Sequence, residues 1–183
     1  MTRAMVVLVR HPEVARAWRG RCYGRSDMSW SREGARRAAV LIDELVALRP
    51  TAIVHSDLVR TRRLAERFKL PTIADPRWRE RDFGSWEGRS WDAIWRETGS
   101  SMDRMVTDPE HFRPGGGETT REVADRARVA WDDLPADGIV VVVTHGGPIA
   151  LVRAVAEGIS LDRAVGLVPA CGEQVRLGRR ALG

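Results

Sequence analysis

Among 183 residues there is one lysine, Lys69, one tyrosine, Tyr23, and two cysteines, Cys22 and Cys171. Two cysteines make neither a disulfide framework nor a zinc site, and they read as reduced, unpaired thiols. No stretch approaches the roughly 20 apolar residues of a membrane helix. The apolar run at 5–9 is shorter than a secretory leader's core of about 7 to 15 residues. The expected setting is therefore cytoplasmic, without a membrane partner. Long blocks of like charge are missing as well. The net charge is +5 and the pI near 10.4, yet the arginines are interleaved with acids, as in "REVADRARVAWDD". That pattern suits a solvated mixed surface, so nucleic acid is not the expected partner. H-x-x-x-H and C-x-x-C spacings are absent too, which sets aside a metal centre.

What remains is an ordinary globular composition, 43% hydrophobic and 30% charged, at a length suited to one core. Residues 1–183 are read as a single domain. Strands are expected at 5–10, 51–56, about 71–75, 138–147 and 173–178, the last on an edge. Helices are expected at 31–48 with Ser31 as N-cap, at 57–68, at 119–134, and from Pro148 onward. Residues 76–118, rich in Gly, Trp and Pro, read as an excursion with one short helix near 89–97. Trp91 and Trp95, four apart, are expected to share a buried helix face. Strands alternating with helices predict a three-layer α/β/α sandwich with a mostly parallel central sheet.

Two strand ends are alike. "VVLVRHPEV" and "VVVVTHGGP" each carry a Val-rich strand into a hydrogen-bond donor, a histidine and a turn. Ligands bind beyond the carboxyl ends of strands in open α/β sheets. Helix N-termini following these strands would favour an anion there, and Gly146 and Gly147 would let the backbone come close. The implied ligand is a phosphate. His55 and His111 lack this placement.

"RH" at a strand end, "CYGRSD", "SDLVRTRRLAE", "RERDFGSWEG", "RPGGGET" and "VVVTHGG" follow one another in this order. Together they resemble the histidine phosphatase superfamily, the phosphoglycerate-mutase-like proteins. The short length, "RHP" in place of "RHG", and "CYGRSD" look most like its α-ribazole phosphatase branch, which serves cobalamin synthesis. The resemblance implies the phosphoglycerate-mutase-like fold and metal-independent hydrolysis of a small phosphomonoester through a phosphohistidine, without a cofactor. His11 resembles the nucleophile, Arg10 and Arg60 the phosphate clamps, His145 the second pocket histidine and Glu80 the proton donor. Gly24, Ser26 and Gly146 lie where the family touches phosphate, whereas Arg62 and Arg63 are expected on a helix surface. Pro12 replaces the usual Gly and Ala17 a frequent Asn. Pro12 is compatible with the first turn of a following helix.

The chemistry requires these residue types. Transfer spreads negative charge over the phosphoryl oxygens, which fixed arginines stabilise. An unprotonated imidazole splits one hard step into two, while His145, as a cation, could donate to the phosphate. An alkoxide leaves poorly, so an acid must protonate it. Two alternatives stand beside the phosphatase: a phosphoglycerate mutase, and a non-catalytic phosphate-ligand or nucleic-acid binder, to which Pro12 and the high pI would belong. A homodimer is compatible with the chain.

Overall fold

A computed structural model describes residues 4–182. Its sheet has the order β3-β2-β4-β1-β5, from β1 (Met5–Arg10), β2 (Ala52–His55), β3 (Thr72–Ala74), β4 (Ile139–Thr144) and β5 (Gln174–Gly178). The pairs β1–β4, β2–β4 and β2–β3 are parallel, and β5 on the edge runs antiparallel to β1.

The unbroken apolar runs of β1 and β4 follow from burial of both faces. Successive side chains leave a strand on opposite sides. Val6, Leu8, Val140 and Val142 enter one core, and Val7, Val9, Val141 and Val143 enter the other. Helices α1 (Arg32–Ala47) and α2 (Val59–Ala65) close the second core with Ala38, Leu41, Leu45 and Leu64. Helices α5 (Thr120–Asp132) and α6 (Gly146–Glu157) close the first with Ala127, Trp131, Ile149 and Val152. Each fully buried Val or Leu contributes roughly 1.5–3 kcal/mol of apolar transfer. The expected three-layer sandwich with a mostly parallel sheet is the observed one.

Helix ends follow their caps. Ser31 accepts from Gly34 N, and Thr119 and Glu122 form a capping box. The expected helix at 57–68 is shorter, because the chain passes into turns after Ala65. Helix α6 starts at Gly146 rather than Pro148. Pro148 is still in the first turn, where its missing N–H costs no helix bond.

The excursion holds two helices rather than one: α3 (Trp91–Thr98) and the single turn α4 (Arg104–Thr107). It has a satellite core of Cys22, Trp86 and Ile94, packed by Phe83, Trp91, Met102, Met105 and Phe112. Trp91 lies edge-on to Phe83 at 5.8 Å and to Trp86 at 6.5 Å. Trp95 departs from expectation and is 48% exposed. The buried side of α3 centres on Ile94, and the next residue is turned about 100° away around the helix. Among the described residues, no helix is long and apolar enough to cross a membrane.

Candidate active site

Parallel pairing sets Arg10 of β1 opposite Thr144 of β4, so the next residues, His11 and His145, leave the sheet together. His11 N donates to the Thr144 carbonyl at 3.0 Å. Both imidazoles are buried, and their ring centroids are 5.2 Å apart.

His11 is held as a nucleophile must be. Its Nδ1 lies 2.8 Å from the Pro12 carbonyl, which can only accept, so Nδ1 carries the proton and Nε2 keeps its lone pair. Burial, and then the Arg60 and Arg10 charges, push its pKa well below 6.5 against the opposing pull of Pro12. The ring is neutral. Pro12 lacks an N–H, but the contact made here uses its carbonyl. It does not open a helix: the chain passes through a bridge at Val14 to a short 3₁₀ turn at Arg16–Trp18 that includes Ala17.

His145 is held differently. Arg60 Nε donates to its Nδ1 at 3.2 Å, leaving the proton on Nε2, which meets Ser56 Oγ at 2.7 Å. Ser56 Oγ pairs with Thr61 Oγ1, whose proton goes to a backbone carbonyl. Burial, then Arg60 and His11, lower the His145 pKa well below 6.5. The expectation of a cationic His145 donating to phosphate is thereby corrected. Burial beside an arginine keeps it neutral, and both nitrogens are engaged.

The arginines divide the work. Arg60, fully buried, donates to the carbonyls of Gly24 and Ser26 as well as to His145. Its guanidinium lies 5.6 Å from the centre of the Tyr23 ring. Arg10 donates through Nη1 to Pro169 O, while its buried Nε has no partner. An unpaired buried donor is costly unless an acceptor arrives. Arg62 and Arg63 are exposed, as expected for a helix surface.

Gly24 and Ser26 stand at the pocket, but their donors face elsewhere. The amides of residues 24–26 converge on the Glu87 carboxylate at 2.9–3.0 Å, and the Ser26 hydroxyl joins them. Those bonds hold Glu87 below the usual carboxylate range against the effect of burial. Here these two residues brace the pocket wall instead of presenting free phosphate donors.

Glu80 reaches the site from the excursion. Its Oε2 accepts from Gly147 N at 3.1 Å, at the start of α6, and its Oε1 accepts from Arg81 N. A Cβ on Gly147 would lie 2.3 Å from Oε1, and one on Gly146 would lie 3.2 Å from Arg10 Cζ. The two glycines let Glu80 and Arg10 close on the helix start. Arg126 of α5 holds this segment with all its donors: to the carbonyls of Arg77, Arg79 and Glu80 and to both oxygens of Glu118. Glu118 in turn accepts from Asp82 N.

Ser56, Glu87, Glu118 and Arg126 were not singled out by the sequence reading. The first three lie inside the quoted motifs, which was their signal; Arg126 had none. His55 also ends a strand, β2, with Nδ1 on the Ser56 carbonyl. Exposed His111 pairs with Asp108. Among the described residues, no group of three His, Cys, Asp or Glu could hold a metal ion. A cleft of about 250 Å³ leads away from Arg10, Glu80, Gly146 and Gly147.

The sequence profile of the histidine phosphatase superfamily (branch 1) matches residues 6–175. The chain is 34% identical over 148 residues to a probable phosphoglycerate mutase GpmB of Erwinia tasmaniensis, covering 77% of this chain and 69% of that one. It is 29% identical over 172 residues to a glucosyl-3-phosphoglycerate phosphatase of Mycolicibacterium vanbaalenii, covering 86% and 76%. A mycobacterial glucosyl-3-phosphoglycerate phosphatase solved with VO3 superposes with a TM-score of 0.86 at 28% identity, covering 97% of this chain and 93% of that one. The α-ribazole phosphatase of Shigella flexneri superposes at 0.79 with 21% identity, over 94% and 89%, a likeness of fold.

Proposed function

Because this chain belongs to the histidine phosphatase superfamily, we propose that it hydrolyses phosphomonoesters through a phosphohistidine formed on Nε2 of His11. The observation that carries this reading is the Nδ1 bond to Pro12, which leaves Nε2 of a neutral ring with its lone pair, next in sequence to Arg10 and its unpaired buried Nε. Nε2 attacks phosphorus, the P–O bond to the alcohol breaks, and Glu80 gives its proton to the departing oxygen. Water then attacks the phosphohistidine, gives its proton to Glu80 and releases inorganic phosphate. Arg10, Arg60 and the Gly146 amide at the start of α6 carry the phosphoryl charge without a metal. His145, held between Arg60 and Ser56, fixes the guanidinium in place.

The specific substrate suggested by "RHP" and "CYGRSD" is α-ribazole 5′-phosphate. The curated relatives named for phosphoglycerate chemistry keep a mutase as the second reading. Rapid quench with a labelled ester is expected to trap an acid-labile phosphoprotein in the wild type and none in His11→Ala. Phosphate release from α-ribazole 5′-phosphate is then compared with isomerisation of 3-phosphoglycerate. Activity is expected to survive dialysis against EDTA. A label that persists without His11, or isomerisation that outpaces phosphate release, defeats the hydrolase mechanism.

A further inference from the structure

The cleft's chemistry bears on the alcohol half of the ester, and an alcohol assigned from it rests on the hydrolase reading. The cleft begins at the reaction centre, with Arg10, Glu80 and Gly147 on its floor. One wall comes from the excursion: Phe83 and Trp91, fixed edge-on to each other, and Val106 on α4. A second part of the lining comes from the 3₁₀ segment Leu161–Leu167 and the residue after it, through Leu161, Val165 and Val168.

Three of these side chains are unusually bare. Val106 is 36% exposed, Val165 63% and Val168 40%. Single exposed valines are ordinary. Three that converge from two separate segments on the rim of one cleft, with the catalytic acid at its floor, form an apolar patch of the kind that marks a binding groove. The polar wall groups are few. Arg81 donates to Thr120 Oγ1 and lies near Glu80 and Glu118, so its charge is already offset. Asp162 opposes a second anion.

We propose that the departing alcohol carries an apolar or aromatic body, lodged between the Phe83–Trp91 wall and the Val165–Val168 segment. The class admits an alkyl, aryl or base-bearing nucleoside alcohol and excludes glycerate and its glycosides.

The test is kcat/KM over straight-chain alkyl phosphates from ethyl to octyl, whose leaving groups have nearly equal acidity, with 3-phosphoglycerate alongside. The expected result is a rise of roughly fourfold per methylene, the step for burying one CH2, levelling off once the chain fills the cleft. In Val165→Asp, checked for folding by circular dichroism, the hexyl-to-ethyl ratio is expected to fall at least about tenfold. Should that variant not fold, the wild-type series decides alone. Steady hydrolysis with no dependence on chain length, or a preference for 3-phosphoglycerate over hexyl phosphate, overturns this inference and leaves the hydrolase standing. Failure to hydrolyse any ester overturns both.

Discussion

The ends of β1 and β4 read almost alike, an apolar run and then a histidine, and they lie side by side in register. Their surroundings differ. After β1 the chain turns through Pro12 and a bridge at Val14, and His11 gives only its Nδ1 proton to the backbone. After β4 the chain enters α6 directly, and His145 is tied at both nitrogens, to Arg60 and Ser56. In the proposed mechanism, position at a strand end brings an imidazole to the phosphate. The partner of each nitrogen decides whether it attacks or supports.

The largest expected effect breaks that comparison in two. Loss of the nucleophile in His11→Ala should lower kcat by on the order of 10⁴-fold or more and abolish the phosphoprotein. His145→Ala should lower it by roughly 10²-fold, through a displaced Arg60, and keep the phosphoprotein. Quantified label in both variants decides; a label lost from His145→Ala and kept in His11→Ala would exchange the two roles.

Next is Glu80, which leans on the helix that follows His145 and, in the proposed mechanism, serves the chemistry at His11. With an alkyl phosphate, Glu80→Gln should slow phosphorylation by roughly 10²–10⁴-fold. With p-nitrophenyl phosphate, whose leaving group departs without a proton, the loss in that step should be far smaller. Burst kinetics separate the steps, since in the proposed mechanism Glu80 also serves the later hydrolysis. Equal losses would remove Glu80 as the acid and turn attention to Asp82.

What could be read beforehand, and what could not, divides along the same line. The β1 strand is visible because every residue from Val6 to Val9 is buried, three of the four being valine, and the strand is found where it was expected. Arg10, His11, Arg60, Glu80 and His145 could be named because motif order places them. Their hydrogen-bond partners could not. Glu87 holds the 24–26 turn across about sixty residues of chain, and that contact exists only once the excursion has folded back. Arg126 is one arginine among many on a charged helix, and nothing local separates it from exposed Arg121. The charge of His145 is not legible for the same reason: burial and Arg60 set it, and both are tertiary.

A smaller effect tests whether both histidines are neutral in the folded chain. Their pKa values lie well below 6.5 when folded and near 6.5 when unfolded. Below pH 6.5 the unfolded chain therefore binds more protons, and stability falls as pH falls. The slope is at most about 1.4 kcal/mol per pH unit for each histidine. Glu87 and Glu118 are shifted downward from 4.5, so their stabilisation is present above that value and lost below it, in a separate window. Urea unfolding between pH 7.5 and 5 should show the histidine slope, and His145→Gln should remove its share. An unchanged slope in that variant would mean that His145 is charged in the fold.

The smallest effect concerns Ser56, which has no counterpart beside His11. Ser56 is fully buried, and its Oγ is the partner of the His145 Nε2 proton. Ser56→Ala leaves that N–H buried without an acceptor, a cost of about 1–3 kcal/mol. It also removes a partner of Thr61, but Thr61 keeps carbonyl acceptors at Ser56 and Leu58. Arg60 keeps its contact to His145 as well as those to Gly24 and Ser26, so the guanidinium should hold its place. The expected outcome is a lower urea midpoint with phosphorylation of His11 within about tenfold of wild type. A phosphorylation rate that falls as far as in His145→Ala would give Ser56 a second role. Ser56 would then orient His145 toward the phosphate, and the two strand ends would both act on the substrate.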